Sequence, residues 1–257
     1  NISPEKTYKK SLTLDKIKTE EIIFTVLSQE NKVLLTYRPE KVKDELLPNP
    51  ASVAKEPKDI PLIEQLYLTG LHLEQYRHAT FNPLDYYEEA LSRDPGDVRC
   101  NNAVGLFLLR RGRFEEAQPY FEKAIETLTE RNPNPYDGEP YYNLGRCLKL
   151  QFRMDEAYDV FFKSTWNAAW KDPGYFSVAQ IDCIRGNWDI ALENIEQSLI
   201  RNWHNHKARQ LKASILRKMG RKEEALKWVE DSLSLDQFNI GCLFERYLLT
   251  HRHDEIN

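Results

Sequence analysis

Small residues recur along this chain at a fixed interval. Ala90, Ala124, Ser164, Ser198 and Ser232 follow one another at spacings of 34, 40, 34 and 34 residues, and each stands seven positions after Pro83, Ala117, Ala157, Ala191 or Ala225. A second row of small residues (Gly70, Gly105, Gly145, Ala179, Ala213) and a row of large apolar ones (Tyr87, Phe121, Phe161, Ile195, Val229) keep step with the first. Small residues let two helices approach closely, and large ones fill the space that remains. A unit of this length cannot bury its apolar face alone, so neighbouring units must stack into a continuous core.

Glycines Gly112, Gly186 and Gly220 fall between the two helices of a unit, where a left-handed residue ends a helix at little cost, and Phe152 takes that place in the third unit. The single interval of 40 carries its extra residues in TERNPNPYDGE, between Thr129 and Glu139, whose prolines and glycine mark a longer loop. The stretches RFEEAQPYFEKAIE, RMDEAYDVFFKST, NWDIALENIEQSL and RKEEALKWVEDSL resemble tetratricopeptide (TPR) repeats, and the resemblance spans about 175 residues. It implies a mostly α fold: a TPR-type α-solenoid of about five helix pairs, preceded by a small N-terminal β-strand or hairpin segment. Repeats are expected near 62–97, 98–131, 138–171, 172–205 and 206–239, with a capping helix over 240–257.

The N-terminal part differs in pattern. SLTLDKIK (11–18), EIIFTVL (21–27) and KVLLTY (32–37) read as three strands, the last two joined as a hairpin through the polar SQEN. Three such strands make a poor independent fold. Residues 1–44 are therefore expected to be the β-strand tail of a truncated or partner-dependent β-domain. A proline-rich linker is expected over 45–61, because Pro48, Pro50, Pro57 and Pro61 exclude a continuous helix or an inner strand.

Composition narrows the function classes. The net charge of −4 in a chain with 30% charged residues gives no bulk attraction to nucleic acid or to an anionic membrane. No apolar run approaches the length of a membrane span, and the polar start NISPEKTYKK is neither signal peptide nor anchor, so a cytoplasmic location is expected. Cys100, Cys147, Cys183 and Cys242 form no CxxC pair and read as reduced, packed thiols. No P-loop, GxGxxG, GxSxG or HExxH appears. The acidic pairs Glu115–Glu116 and Glu223–Glu224 open second helices, where they complement the helix dipole. The expectation is a non-enzymatic chain without cofactor or metal.

In TPR proteins the first helix of each pair lines a concave groove. By that resemblance the groove residues here are Arg99, Asn102, Tyr142, Asn143, Arg146, Phe176, Gln180, Lys207, Gln210 and Arg217. They make a basic, amide-rich surface with aromatics in the middle, suited to an extended peptide bearing carboxylates, although the lysine–asparagine arrangement of carboxylate-clamp TPRs is not reproduced. Two segments depart from the repeat. STWNAAWKDPGYF carries Trp166 and Trp170 one helical turn apart, and RNWHNHKAR carries Trp203, His204 and His206. Core packing of these rings is one reading; an aromatic and imidazole patch that stacks on a sugar or anchors a partner domain is the other. The pairs His204/His206 and His251/His253 lack further ligands for zinc.

PLDYYEEALSRDPGDVRCNNAVGLFLLRRGRFEEA, NAAWKDPGYFSVAQI and RNWHNHKAR resemble, more narrowly, large prokaryotic TPR proteins that begin with a β-rich domain of unknown function. That resemblance implies that the strands end such a domain, itself related to mutarotase-like sandwiches, and it implies a carbohydrate-related setting by association only. Three readings follow: a scaffold that binds a peptide or protein in the groove, an accessory region of a carbohydrate-processing protein that docks on its own β-domain, or an oligomerisation domain that forms a homodimer.

Overall fold

The computed structural model describes residues 9–13, 17–40, 52–76, 79–134 and 136–250. The chain divides into two compact units, one up to Val53 and one from Ala54.

The first unit holds a hairpin of β1 (Phe24–Leu27) and β2 (Val33–Tyr37), antiparallel, with Phe24 opposite Tyr37, Val26 opposite Leu35 and a bulge between Val26 and Leu27. Its turn has Asn31 at φ 61° and is tied by Ser28 Oγ, which accepts from the amides of Glu30 and Lys32. The strand expected over 11–18 is not there: Ser11–Thr13, Ile17 and Lys18 are irregular, 14–16 lie outside the described residues, and Thr19–Glu21 form a 3-10 turn instead. Alternation of apolar residues is not sufficient for a strand without a neighbour to take up its backbone groups. Every residue of both strands is exposed.

The second unit holds eleven α-helices among the described residues. They are α1 (Ile63–Gln75), α2 (Pro83–Arg93), α3 (Val98–Leu109), α4 (Phe114–Thr129), α5 (Glu139–Leu150), α6 (Met154–Ser164), α7 (Lys171–Arg185), α8 (Trp188–Arg201), α9 (His206–Lys218), α10 (Lys222–Leu235) and α11 (Ile240–Thr250). From α1 to α10 each odd-numbered helix packs against the even-numbered one after it, neighbouring pairs stack in order, and α11 packs on α9 and α10. Part of the proline-rich stretch belongs to this unit. A 3-10 turn at Pro57–Asp59 leads to buried Ile60, and α2 holds the strap through Tyr86 Oη donating to Lys55 O (2.9 Å) and Arg93 donating to Ile60 O (2.6 Å). Pro48 and Pro50 lie outside the described residues.

The core is the spacing rule made solid. A Cβ on Gly70, Gly105 or Gly145 would stand 2.6 Å from the ring of Tyr87, Phe121 or Phe161, so these rings press onto the bare backbone of the first helix. Ala117, Ala157, Ala191 and Ala225 are fully buried. Odd-numbered helices are started by Asp97, Asn205 and Asn239, whose side chains accept from the amides of Cys100, Ala208 and Cys242. Cys100, Cys147 and Cys242 are buried free thiols; half-buried Cys183 has its pKa pushed up to about 11, mainly by burial.

The turns within pairs are alike in a way that isolates one residue. Arg113, Arg153, Asn187 and Arg221 each donate a backbone bond to the carbonyl five residues back, and the residue before each is left-handed. Three of those residues are glycine, and the fourth is Phe152, at φ 62° and 84% exposed. Its side chain gains nothing from burial, while a non-glycine residue in this region costs about 1–2 kcal/mol. Phe152→Gly is therefore expected to stabilise the array by about 1 kcal/mol, net of the chain entropy of glycine, read as a rise in the denaturant midpoint at unchanged slope. A second irregularity lies inside the core. Three residues after the small residue of the first helix the repeats carry Leu73, Leu108, Leu148 and Leu216, but α7 carries Asp182, 1% exposed and accepting from Asn194 Nδ2 at 2.9 Å. Burial raises its carboxyl pKa against the opposing effects of Asn194 and Arg185. A carboxyl whose folded pKa is raised costs stability once the pH exceeds its unfolded value, and that cost reaches its full size above the folded value. Asp182→Asn should be more stable than the parent at neutral pH, with the advantage shrinking as pH falls through the carboxylate range; parallel denaturation curves at neutral and acid pH check the sign.

Candidate functional site: the inner helix face

The expected groove residues sit on α3, α5, α7 and α9, and polar contacts between successive odd-numbered helices identify the face they share. Arg99 of α3 pairs with Glu64 of α1 (2.5 Å) and lies over the Tyr67 ring; Arg110 pairs with Glu74. Asn143 of α5 donates to Asn102 of α3 (2.9 Å). Lys149 of α5 donates to Gln180 of α7 (2.7 Å), and burial lowers its pKa. Arg217 of α9 pairs with Glu245 of α11 (2.6 Å), which also accepts from Ser214. The result is a row of polar rungs along one side of the array.

These rungs give several of the expected groove residues partners within the chain. Asn102 and Asn143 are buried and joined by one hydrogen bond, which takes up the Asn102 carbonyl and one Asn143 N–H. Arg217, with its side chain 15% exposed against a Glu245 that is 4% exposed, is a buried structural pair. Gln210 donates to Ser214, and its stem packs against Gly241 of α11. Glu64 and Glu74 stand 35 and 36 residues before Arg99 and Arg110, about one repeat length and so a signal the period makes available, whereas Glu245 stands 28 residues after Arg217 and is not marked by it. What remains open lies in the middle. Half-buried Arg146 stands one helical turn from both Asn143 and Lys149, and exposed Lys207 one turn before Gln210. Neither has a hydrogen bond or ion pair to another described residue. Between them in sequence α7 presents half-buried Phe176, one turn before Gln180. Among the described residues, no polar rung joins α7 to α9 along this face.

The expected aromatic patch divides in two. Trp166 and Trp170 do not share a helix, because α6 ends at Ser164 and Asn167 caps a 3-10 turn at Ala168–Trp170. Trp166 is 59% exposed beneath the Lys163 ammonium (3.5 Å from the ring centre), and Trp170 stacks on Tyr142 at 5.0 Å. Neither ring is wholly in the core, and Tyr142 is a packing partner as much as a groove residue. Trp203 instead meets Trp228 edge-on at 5.4 Å, and the two indoles flank Arg209, which is fully buried. Arg209 donates to Ser232 Oγ (3.0 Å), and burial lowers its pKa. His204 is exposed, and His206 Nδ1 stands 3.8 Å from Asp236. The unusual segment RNWHNHKAR is held by a residue the sequence reading passed over: Asp172, in the first turn of α7, accepts from Ser198 (2.6 Å), Asn202 (2.8 Å) and Asn205 (2.8 Å). Among the described residues no group of His, Cys, Asp and Glu is placed to hold a metal; His251 and His253 lie outside them. No described helix is long and apolar enough to cross a membrane.

Comparison with known proteins agrees with this geometry. Tetratricopeptide-repeat family models match residues 98–161 and 206–239. Among solved structures, the chain is similar to the MamA protein (19% identity, 68% of this chain and 92% of that one, TM-score 0.56). It is similar to YrrB, described as a TPR protein with an unusual peptide-binding site (18%, 73% and 91%, TM-score 0.56). It is similar as well to PilW, a type IV pilus biogenesis factor (21%, 74% and 83%, TM-score 0.59). At these identities the likeness is one of fold. The chain carries tetratricopeptide repeats, and from α1 to α11 it is a TPR-type α-solenoid.

Proposed function

We propose that the solenoid is a non-catalytic scaffold that holds an extended peptide or protein segment against its inner helix face, gripping carboxylates of that segment at Arg146 on α5 and at Lys207 on α9. The observation that carries this reading is the selective pairing of the cations on that face. Arg99, Arg110 and Arg217 are spent on glutamates and Lys149 on an amide, while Arg146 and Lys207 are left without an acceptor on either side of Phe176. Half-buried Arg146 is already partly desolvated, so its charge-assisted bond to a carboxylate is stronger than that of a fully solvated cation, while exposed Lys207 adds a second, more screened contact. The half-buried Phe176 ring supplies apolar area between the two charges. The peptide-binding site ascribed to YrrB supports the class of ligand, and the repeat architecture supports binding over chemistry.

The test is to pan a random peptide library on the full chain. Acidic peptides are expected, and a selected acidic peptide should bind the Arg146→Glu/Lys207→Glu variant at least about a hundredfold more weakly, roughly tenfold for each lost charge-assisted contact. Phe176→Ala should weaken the same peptide without changing its dependence on salt. Equal binding by parent and double variant removes the inner face from the account.

A further inference from the structure

Each repeat provides a control for the others at equivalent positions, and the outer side of the second helices fails that comparison once. The residue after the large core residue is Glu88 in α2, Glu122 in α4, Glu196 in α8 and Glu230 in α10, all exposed. In α6 it is Phe162, 42% exposed. One turn beyond lies Trp166, 59% exposed, where the sister repeats carry Ser92, Glu126, Ile200 and Ser234. Phe162 meets the Tyr175 ring of α7 edge-on at 6.2 Å, but that contact leaves it 42% exposed where four sister repeats keep glutamate, and an exposed pair of large aromatics is costly unless something covers it. The same place adjoins the one long inter-repeat loop, TERNPNPYDGE. Trp166 stands as a ridge between two clefts. A polar one of about 270 Å³ includes Asn134 and Asp137 of that loop, and a more apolar one of about 410 Å³ runs past Tyr158, Asp159 and Phe162.

The chemistry of the ridge fixes the kind of occupant. The Lys163 ammonium lies 3.5 Å from the indole centre and is steadied by Asn134 Oδ1 at 3.0 Å, so a cation already rests on this ring. Lysine is a compact, strongly hydrated charge; a guanidinium is planar, less hydrated and stacks better on an indole. The exposed carboxylate of Asp159 lines the apolar cleft and has no hydrogen bond or ion pair to another described residue. We propose that the outer face of α6 is a second docking surface, for a protein segment that presents an arginine beside a large apolar side chain. The arginine displaces Lys163 from Trp166 and pairs with Asp159, and the apolar side chain enters the cleft along Phe162. This surface is separate from the inner face and selects the opposite charge.

The experiment uses the same random peptide library on the full chain, so that the two surfaces are sorted by variant. Peptides with arginine next to leucine, phenylalanine or tryptophan are expected as a second class. Phe162→Glu, which restores the residue of the sister repeats, should weaken a selected peptide of this class at least about tenfold, the scale of one lost aromatic anchor. Asp159→Asn should weaken it and flatten its salt dependence, while Arg146→Glu/Lys207→Glu should leave it unchanged. Should Phe162→Glu lower the melting temperature, Trp166→Ser, on a turn outside the helix, carries the same expectation. The proposal is overturned if no such class is recovered, or if its members bind these variants as tightly as the parent. It is overturned equally if light scattering shows the parent to self-associate and Phe162→Glu to be monomeric, which would assign the face to a second copy of the chain.

Discussion

The solenoid rests on one contact made repeatedly, the ring or branched chain of a second helix pressed onto a small residue of the first. Where the small residue is glycine the approach is so close that a single Cβ would meet the ring at 2.6 Å. That contact sets the distance within a pair, and the distance within a pair sets what the rest of each helix can reach. Because the interior is close-packed, the remaining side chains have few choices. Those of the odd-numbered helices that do not face a partner emerge on one side, near enough to the next odd-numbered helix to bond across. The polar rungs from Glu64–Arg99 to Arg217–Glu245 are a consequence of the close approach as much as of their own attraction.

The rungs in turn decide which charges are available. A buried pair such as Arg217–Glu245 contributes little net stability against a well-packed apolar pair, yet breaking it is expensive, so it stays closed. Its role is to hold α11 in register on α9 and to take a cation off the inner face. Among the described residues expected in the groove, Arg146 and Lys207 make no such pairing, and the proposed binding rests on these two. The binding chemistry of a solenoid is in this sense what is left after the repeats have satisfied one another.

Most of the fold was legible in the sequence because it is periodic: the helix pairs, their turns and the small-on-large core follow from residue size at fixed spacing. Phe152 could be placed at a left-handed turn position for the same reason, with no glycine to announce it. The failures share a cause. The three-strand reading of residues 11–37 relied on alternation, which does not reveal whether a neighbouring strand exists. The spacing of Trp166 and Trp170 suits a helix, but Ser164 and Thr165 turn their hydroxyls back on Phe161 O and Phe162 O, and Asn167 caps a new turn. The partners that Asn102, Asn143 and Arg217 have within the chain are likewise not legible in the sequence, because they lie on another helix pair and are invisible to any local pattern.

Departures from the period fall into two kinds, and burial separates them. Asp182 replaces a leucine inside the array and Arg209 is a charge fully buried there, and the fold accommodates them with Asn194 in the first case and with Ser232 and two indoles in the second. Their pKa values move in the direction burial dictates, up for the acid and down for the base, so both are costs carried by the interior. Phe162 is a departure of the other kind, apolar where four sister repeats carry glutamate, and with neighbouring Trp166 it keeps exposed area that its edge contact with Tyr175 does not cover. A polar residue in the core has its explanation among its neighbours. The edge contact of Phe162 with Tyr175 explains only part of its area, and it is the exposed remainder, where every sister repeat is charged, that the proposed docking segment would cover.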